Sequence, residues 1–278
     1  MTIGDSRKSA AFFGSRSGIL TGMRLHGKTA IVTGGSAGIG LAIARRLGVE
    51  GARIAICARS AERLQGAADQ LRDDGIEVFA DRCDVQDPQE VEAFIKKVGD
   101  RAGSIEILVN NAAANEPTSL TEPDDEAWRQ TVRTGLDGAY FCTTRVLPWM
   151  RERGRLVYIA SVTAKFGVPG GAAYCAAKHG LIGLVRTVAL ELAPRKITAN
   201  AICPGWVETE MAHDVMQRIA DLQQEPYAVT RSRLLQQVPL GEIIQPEEVA
   251  SLVAYLVSDE ARNVTGQAYN LCGGQVMH

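Results

Sequence analysis

The chain has 278 residues, 46% of them hydrophobic, with 30 basic and 32 acidic side chains and a net charge of −2. That near-balance offers no field for gripping nucleic acid or an anionic membrane, and no apolar run approaches the roughly 20 residues needed to span a bilayer. Six scattered cysteines without a CxxC pair and only 4 histidines argue against a metal site or a disulfide framework, and for reduced thiols in a cytoplasmic protein whose partner is a small molecule.

Residues 1–24 mix Ser, Gly and basic residues around a short apolar break at 10–13. A secretory signal needs a longer apolar region, so a mobile tail is expected there, followed by one domain over 25–278. From Lys28 onward, short β-branched apolar runs alternate with helix-period segments. Strands are predicted at 29–33, 53–57, 77–81, 107–110, 155–159, 197–202 and 268–271. Helices are predicted at 39–50, 61–74, 90–98, 128–140, 172–192 and 247–257. Runs such as Ala30-Ile31-Val32 and Leu108-Val109 are apolar on both faces, as parallel strands covered by helices above and below must be. The pattern predicts an α/β fold. It is a single doubly wound Rossmann-type domain, with about seven parallel strands and helices on both faces. Residues 207–241 interrupt the rhythm and carry Met211, Val215, Ile219 and Leu222 at roughly helical spacing. An inserted lid over a substrate is the expected form of so long a connection.

Immediately after the first strand stands Thr33-Gly34-Gly35-Ser36-Ala37-Gly38-Ile39-Gly40, opening a helix. Glycines in that position allow a tight turn and bring a pyrophosphate against main-chain N–H groups at a helix N-terminus. The second strand ends in Cys57-Ala58-Arg59-Ser60. A carboxylate there would bond a free adenosine ribose. Arg59 instead offers a fork for a 2′-phosphate, and Ser60 a hydroxyl donor. NADPH/NADP+ is therefore expected over NADH/NAD+, which stays open because neither Ser36 nor Ala37 is basic.

Tyr174 and Lys178 are four apart in an apolar helix, and hence on one face of it. A free phenol, with pKa near ~10, is a poor acid–base group at neutral pH. A neighbouring ammonium and an oxidised nicotinamide both favour the phenolate. Ser161 follows the fifth strand, on the carboxyl edge where such sheets place ligands, with its hydroxyl available to a substrate oxygen.

With these motifs in place, the chain resembles the classical short-chain dehydrogenase/reductase family from about Leu25 to His278. The resemblance extends to Asp84-Val85, Asn110-Asn111-Ala112, Pro204-Gly205, Val207 and Thr209. It implies that Tyr174 is the general acid in carbonyl reduction, that Lys178 binds the nicotinamide ribose and tunes Tyr174, and that Ser161 orients the carbonyl. It also implies that Gly34, Ser36, Gly38, Ile39 and Gly40 hold the pyrophosphate, and that Asp84 and Val85 lie beside the adenine. Asn111, Ala112, Pro204, Gly205, Val207 and Thr209 would complete the cofactor site. Two positions depart from the family. Ala113 replaces the usual glycine after Asn-Asn-Ala. Gly135, in Thr134-Gly135-Leu136, stands where the family has a catalytic asparagine that helps hold a water near the lysine. Ordered water filling the gap, room for an unusual substrate or a helix kink, or loss of catalysis are the three readings, and the hydroxyl of Thr134 is a further candidate for the missing group.

Cys57-Ala58-Arg59, the run 202–209 and Leu271-Cys272-Gly273-Gly274 are most similar to aromatic polyketide ketoreductases and 3-oxoacyl-carrier-protein reductases. A bulky, cyclic or polyketide-like carbonyl, free or bound to an acyl carrier protein, is the expected substrate. Val162, Phe166, Trp206, Met211 and Met216 are expected to border it. The alternatives are an NAD-dependent dehydrogenase of an alicyclic alcohol or hydroxyacyl thioester, and a non-catalytic cofactor sensor. Family resemblance further implies a homotetramer, with interfaces on helices at 135–152 and 172–192.

Overall fold

The computed structural model describes residues 24–278, so the tail expected over 1–24 lies outside the described residues except for Arg24. In strand β1 (Thr29–Thr33), Ala30 and Val32 enter the core on one face and Ile31 on the other. In β4 (Ile107–Asn110), Ile107 and Val109 oppose Leu108. In β5 (Arg155–Ile159), Val157 and Ile159 oppose Leu156 and Tyr158. Successive side chains of a strand point to opposite faces, so strands apolar in both phases need a layer on each side.

Strands β2 (Arg53–Ala58), β3 (Val78–Arg82), β6 (Thr198–Pro204) and β7 (Ala268–Leu271) complete a parallel sheet of seven strands in the order β3-β2-β1-β4-β5-β6-β7. The helices are α1 (Gly38–Val49), α2 (Ala61–Asp73), α3 (Pro88–Ala102), α4 (Asp125–Val132), α5 (Gly138–Val146), α6 (Ala172–Leu192), α7 (Glu210–Gln223), α8 (Tyr227–Gln236) and α9 (Pro246–Val257). One face of the sheet is covered by α1, α2 and α9 through Ile43, Leu47, Leu64, Leu71, Val249 and Val253. The other is covered by α3, α5 and α6 through Val91, Phe94, Ile95, Val146, Leu181 and Val185. Because β1 has β2 on one side and β4 on the other, the strand order reverses there. The crevice outside the carboxyl ends of β1 and β4 is where such a sheet receives a ligand.

Three boundaries differ from expectation for identifiable reasons. Helix α3 starts earlier than predicted because Asp87 caps it, accepting from the amides of Gln89 (2.8 Å) and Glu90 (3.3 Å) with Pro88 at the first position. The helix predicted over 128–140 is α4, one π-helical turn at Arg133–Asp137, and α5. Helix α5 ends at Val146 and does not run to 152, since Pro148 cannot continue it.

The inserted segment contains α7 and α8, and its base is closed. The Glu208 amide donates to the Ile244 carbonyl (2.9 Å) and the Ile244 amide to the Trp206 carbonyl (2.9 Å), forming an isolated parallel bridge between Val207 and Ile244. The Glu208 carboxylate accepts from Arg231 of α8 at 2.9 Å and from His213 of α7, so both lid helices are tied to the same root.

Candidate active site

Strand β1 delivers Thr33 to the crevice. Its hydroxyl accepts from the amides of Asn111 (3.0 Å) and Ala112 (3.1 Å). The Asn111 side chain returns bonds to the carbonyls of Thr33 (2.9 Å) and Gly34 (3.2 Å). The ends of β1 and β4 are therefore locked together, and the Asn111 amide nitrogen frames the glycine turn from within the chain. Gly34 and Gly38 adopt φ of +65° and +51°, conformations that favour glycine. A Cβ on Gly40 would stand 2.2 Å from the Gly34 carbonyl oxygen, so the turn closes on the helix only with glycine there.

Helix α1 then begins without a cap. Ala37 has no side chain to accept a bond, and its first turn holds no acidic residue, whereas α2, α3 and α4 are capped by Ser60, Asp87 and Asp124. The first N–H groups of α1, around Ser36, Gly38, Ile39 and Gly40, are left for an anion and carry the positive end of the helix dipole. These features fit the diphosphate of a dinucleotide. A Cβ on Gly38 would lie 3.2 Å from Cγ2 of Thr209, the residue that caps α7, so the turn also meets the root of the lid.

Beyond β2, Arg59 is exposed and has no ion-pair partner among the described residues. Arg63, one helical turn on, is paired with Glu210 at 2.5 Å. Ser60 accepts the Arg63 amide (3.3 Å) as the cap of α2, which leaves its hydroxyl proton free to donate. The Asp84 carboxylate accepts from the Gln86 amide (3.0 Å). Buried Val85 packs on Gly138, where a Cβ would come within 2.8 Å of its Cγ2.

Ser161, Tyr174 and Lys178 converge past the end of β5. Lys178 is 2% exposed, and its Nζ donates to the Ile159 carbonyl at 2.8 Å while lying 5.4 Å from the centre of the Tyr174 ring. Burial pushes the Lys178 amine down to about 8. Burial likewise pushes the Tyr174 phenol up to about 12, against a downward pull from the nearby Ser161 hydroxyl. Both groups are thus held towards their neutral forms, and a positive charge brought close to Tyr174 would lower its pKa. Ser161 is extended (φ −168°, ψ 159°) and caps a short 3₁₀ turn at Val162–Ala164.

The π turn places buried Gly135 beside α6, where a Cβ would meet only Cβ of Ala177, at an ordinary 3.5 Å. The Thr134 hydroxyl donates to the Gln130 carbonyl at 2.7 Å. π turns recur at functional positions of helices. Since the space admits a side chain and glycine is the poorer helix former, Gly135→Ala is expected to raise stability by about 0.5–1 kcal/mol in a urea titration. Gly135→Asn is expected to fold and to raise turnover. Loss of folding in both variants would show that the turn itself requires glycine.

Val162 and Phe166 pack with Cys272 and Val276 of the final turn. Gly205 faces the same turn, a Cβ on it lying 3.2 Å from Cys272 and 3.1 Å from Oε1 of Gln275. Trp206 is half-buried at the lid base, and Met211 is exposed on α7. Met216 is fully buried, with the Tyr227 hydroxyl 3.9 Å from its sulfur, between α7 and α8. Neither Thr33 nor Thr163 is among the expected site residues. Thr33 stood in plain view at the head of the glycine run, and Thr163 in a Ser-x-Thr pattern of the kind that forms side-chain-to-backbone turns.

A doubly wound parallel sheet, a glycine turn into an uncapped helix at its switch point, and a Tyr–Lys pair beside it define a Rossmann-type oxidoreductase acting on C=O and CH–OH groups. Within that class, the chain belongs to the short-chain dehydrogenase/reductase family. A family model described as enoyl-(acyl carrier protein) reductase matches residues 34–275. A Streptomyces violaceoruber protein assigned as granaticin polyketide synthase ketoacyl reductase 1 is 43% identical over 249 residues, 88% of this chain and 92% of that one. The 3-oxoacyl-(acyl-carrier-protein) reductase FabG of Staphylococcus aureus is 36% identical over 253 residues, 90% of this chain and 98% of that protein. Among solved structures, a variant of actinorhodin polyketide ketoreductase with NADPH superposes with a TM-score of 0.87 at 43% identity, covering 89% of this chain and 97% of that one. Levodione reductase gives a TM-score of 0.85 at 31% identity, covering 90% and 98%.

Proposed function

We propose that this protein is an NADPH-dependent ketoreductase that converts a bulky, cyclic or polyketide-like ketone to its secondary alcohol. The observation that carries the reading is the convergence of Ser161, Tyr174 and Lys178 at the carboxyl edge of the sheet, in a chain similar to polyketide ketoacyl reductases over nearly its whole described length. When bound, NADPH supplies the hydride. The first amides of α1, with Gly34, Ser36, Gly38, Ile39 and Gly40, hold its diphosphate. Arg59 and Ser60 receive the 2′-phosphate, and Asp84 and Val85 border the adenine. Ala112, Pro204, Gly205, Val207 and Thr209 form the wall beside the nicotinamide, with Asn111 bracing the turn behind it. Ser161 donates to the ketone oxygen, Tyr174 gives that oxygen its proton, and Lys178 supplies positive charge to the Tyr174 phenol as the proton leaves.

Substrates tethered to an acyl carrier protein belong to the same reading, because two of the relatives carry ketoacyl or 3-oxoacyl reductase names. A cytoplasmic homotetramer is the proposed working form, and the exposed Trp128, Tyr140 and Leu190 supply apolar surface on α4, α5 and α6 for contacts between copies.

The test is an absorbance assay that follows nicotinamide oxidation, with NADPH and NADH compared against cyclic, aromatic and acyl-thioester ketones. NADPH-dependent turnover of a bulky cyclic or thioester ketone is the expected result. Silence across the panel, with NADPH binding retained, would overturn the reading.

A further inference from the structure

We propose that Thr163 is a positioning residue for the reaction, which makes Ser161 a hydrogen-bond donor and nothing else. The proposal rests on the reading of Ser161 and Tyr174 given above. A serine hydroxyl carries one proton to donate and two lone pairs to accept with. In this site both lone pairs are occupied by the same neighbour. The Thr163 amide donates to Ser161 Oγ at 3.2 Å, and the Thr163 hydroxyl donates to it at 3.0 Å. Only the Ser161 O–H remains, and the extended Ser161 backbone places it at the end of β5 beside Tyr174.

The Thr163 hydroxyl is not needed to form the turn it sits in. That turn is held by the Ala164 amide on the Ser161 carbonyl (2.9 Å) and the Lys165 amide on the Val162 carbonyl (2.9 Å), with the Thr163 amide capping it. The hydroxyl bond is additional, and what it acts on is Ser161. Ser161 itself is only 8% exposed, and Thr163 is half-buried, so water competes little for either group.

A ketone oxygen, and the alkoxide it becomes, can only accept. A serine free to rotate would spend part of its time accepting from Tyr174, which would turn the phenolic proton away from the substrate. With its acceptor side filled, Ser161 donates towards the substrate, and the Tyr174 proton has one acceptor left. The two hydroxyls and the reacting oxygen then form a line with a single polarity, Thr163 to Ser161 to that oxygen. Each bond in such a line strengthens the next.

Thr163→Val keeps the shape of the side chain and removes its donor, while Thr163→Ser keeps the donor. Steady-state reduction of a ketone taken by the wild-type enzyme, together with NADPH affinity from fluorescence titration, separates the outcomes. Thr163→Val is expected to lower kcat by about three- to tenfold, the effect of one hydrogen bond, with KM and NADPH affinity unchanged. Thr163→Ser is expected to restore kcat. In a Ser161→Ala background, Thr163→Val is expected to cost nothing further, because the group it orients is gone. Wild-type kcat in Thr163→Val, or an equal loss in the Ser161→Ala background, would overturn the proposal while Tyr174→Phe remains inactive. Full activity of Tyr174→Phe would overturn the underlying site reading instead.

Discussion

Tyr174→Phe is expected to remove nearly all ketone reduction, by about 10²- to 10⁴-fold in kcat, the span that one positioned proton donor contributes. The ring stays in place in this variant and only the hydroxyl is lost, so NADPH affinity and the melting temperature are expected to remain at wild-type values. The size of the effect follows from the surroundings of the phenol. Burial raises its pKa to about 12, so Tyr174 holds its proton at neutral pH until a substrate oxygen takes it. Lys178 lies 5.4 Å from the ring centre with its ammonium lowered to about 8 by burial, close enough to favour the phenolate that proton transfer leaves behind. The buried Tyr158 hydroxyl is no substitute, since it bonds to Thr143 at 2.8 Å in the packing between the sheet and α5. Turnover within a few-fold of wild type in a stopped-time product assay would remove Tyr174 from the proton path.

Arg59→Ala is expected to weaken NADPH binding by about 1.5–3 kcal/mol, the worth of a charge-assisted contact, and to leave NADH binding unchanged. Three observations direct the prediction to Arg59. Ala58, the last residue of β2, offers no carboxylate to repel a phosphate. Arg63 is engaged with Glu210. Arg59 itself is exposed, with no ion pair among the described residues. Isothermal titration of both cofactors into the wild-type and variant proteins measures the difference directly. Equal weakening of NADPH and NADH would make Arg59 a structural residue.

The sheet was legible because its signal is local and redundant. Ala30-Ile31-Val32 is apolar in both phases, and so are Leu108-Val109 and Leu156-Val157, so each strand announces helices on both sides without reference to its neighbours. The Tyr174–Lys178 spacing survived for the same reason, since a 21-residue helix without proline or an internal break keeps positions four apart on one face. What escaped depends on contacts across the chain. The π turn at Arg133–Asp137 is an extra residue accommodated within a helix, and nothing in the apolar period of 128–140 marks it. Met216 is buried between α7 and α8, a placement that depends on α8 and not on the period of α7. The Asn111 amide nitrogen bonds to the carbonyls of Thr33 and Gly34, residues 78 and 77 positions away. Thr163 lies two positions beyond Ser161, and only the extended backbone of Ser161 turns its hydroxyl back on that serine.

The bridge between Val207 and Ile244 has an implication for how such a protein diversifies. A loop whose two ends are already fastened side by side pays little for its length, since each doubling adds only about 0.6 kcal/mol of closure entropy. The root here is fastened twice, by the paired main chain at Trp206, Glu208 and Ile244 and by Glu208 gathering His213 and Arg231. The stretch in between behaves as an exchangeable cassette, able to be lengthened, shortened or recoded while the strands beneath keep their register. On the proposed function, this segment can then be recoded while Tyr174 and the glycine turn are left unchanged.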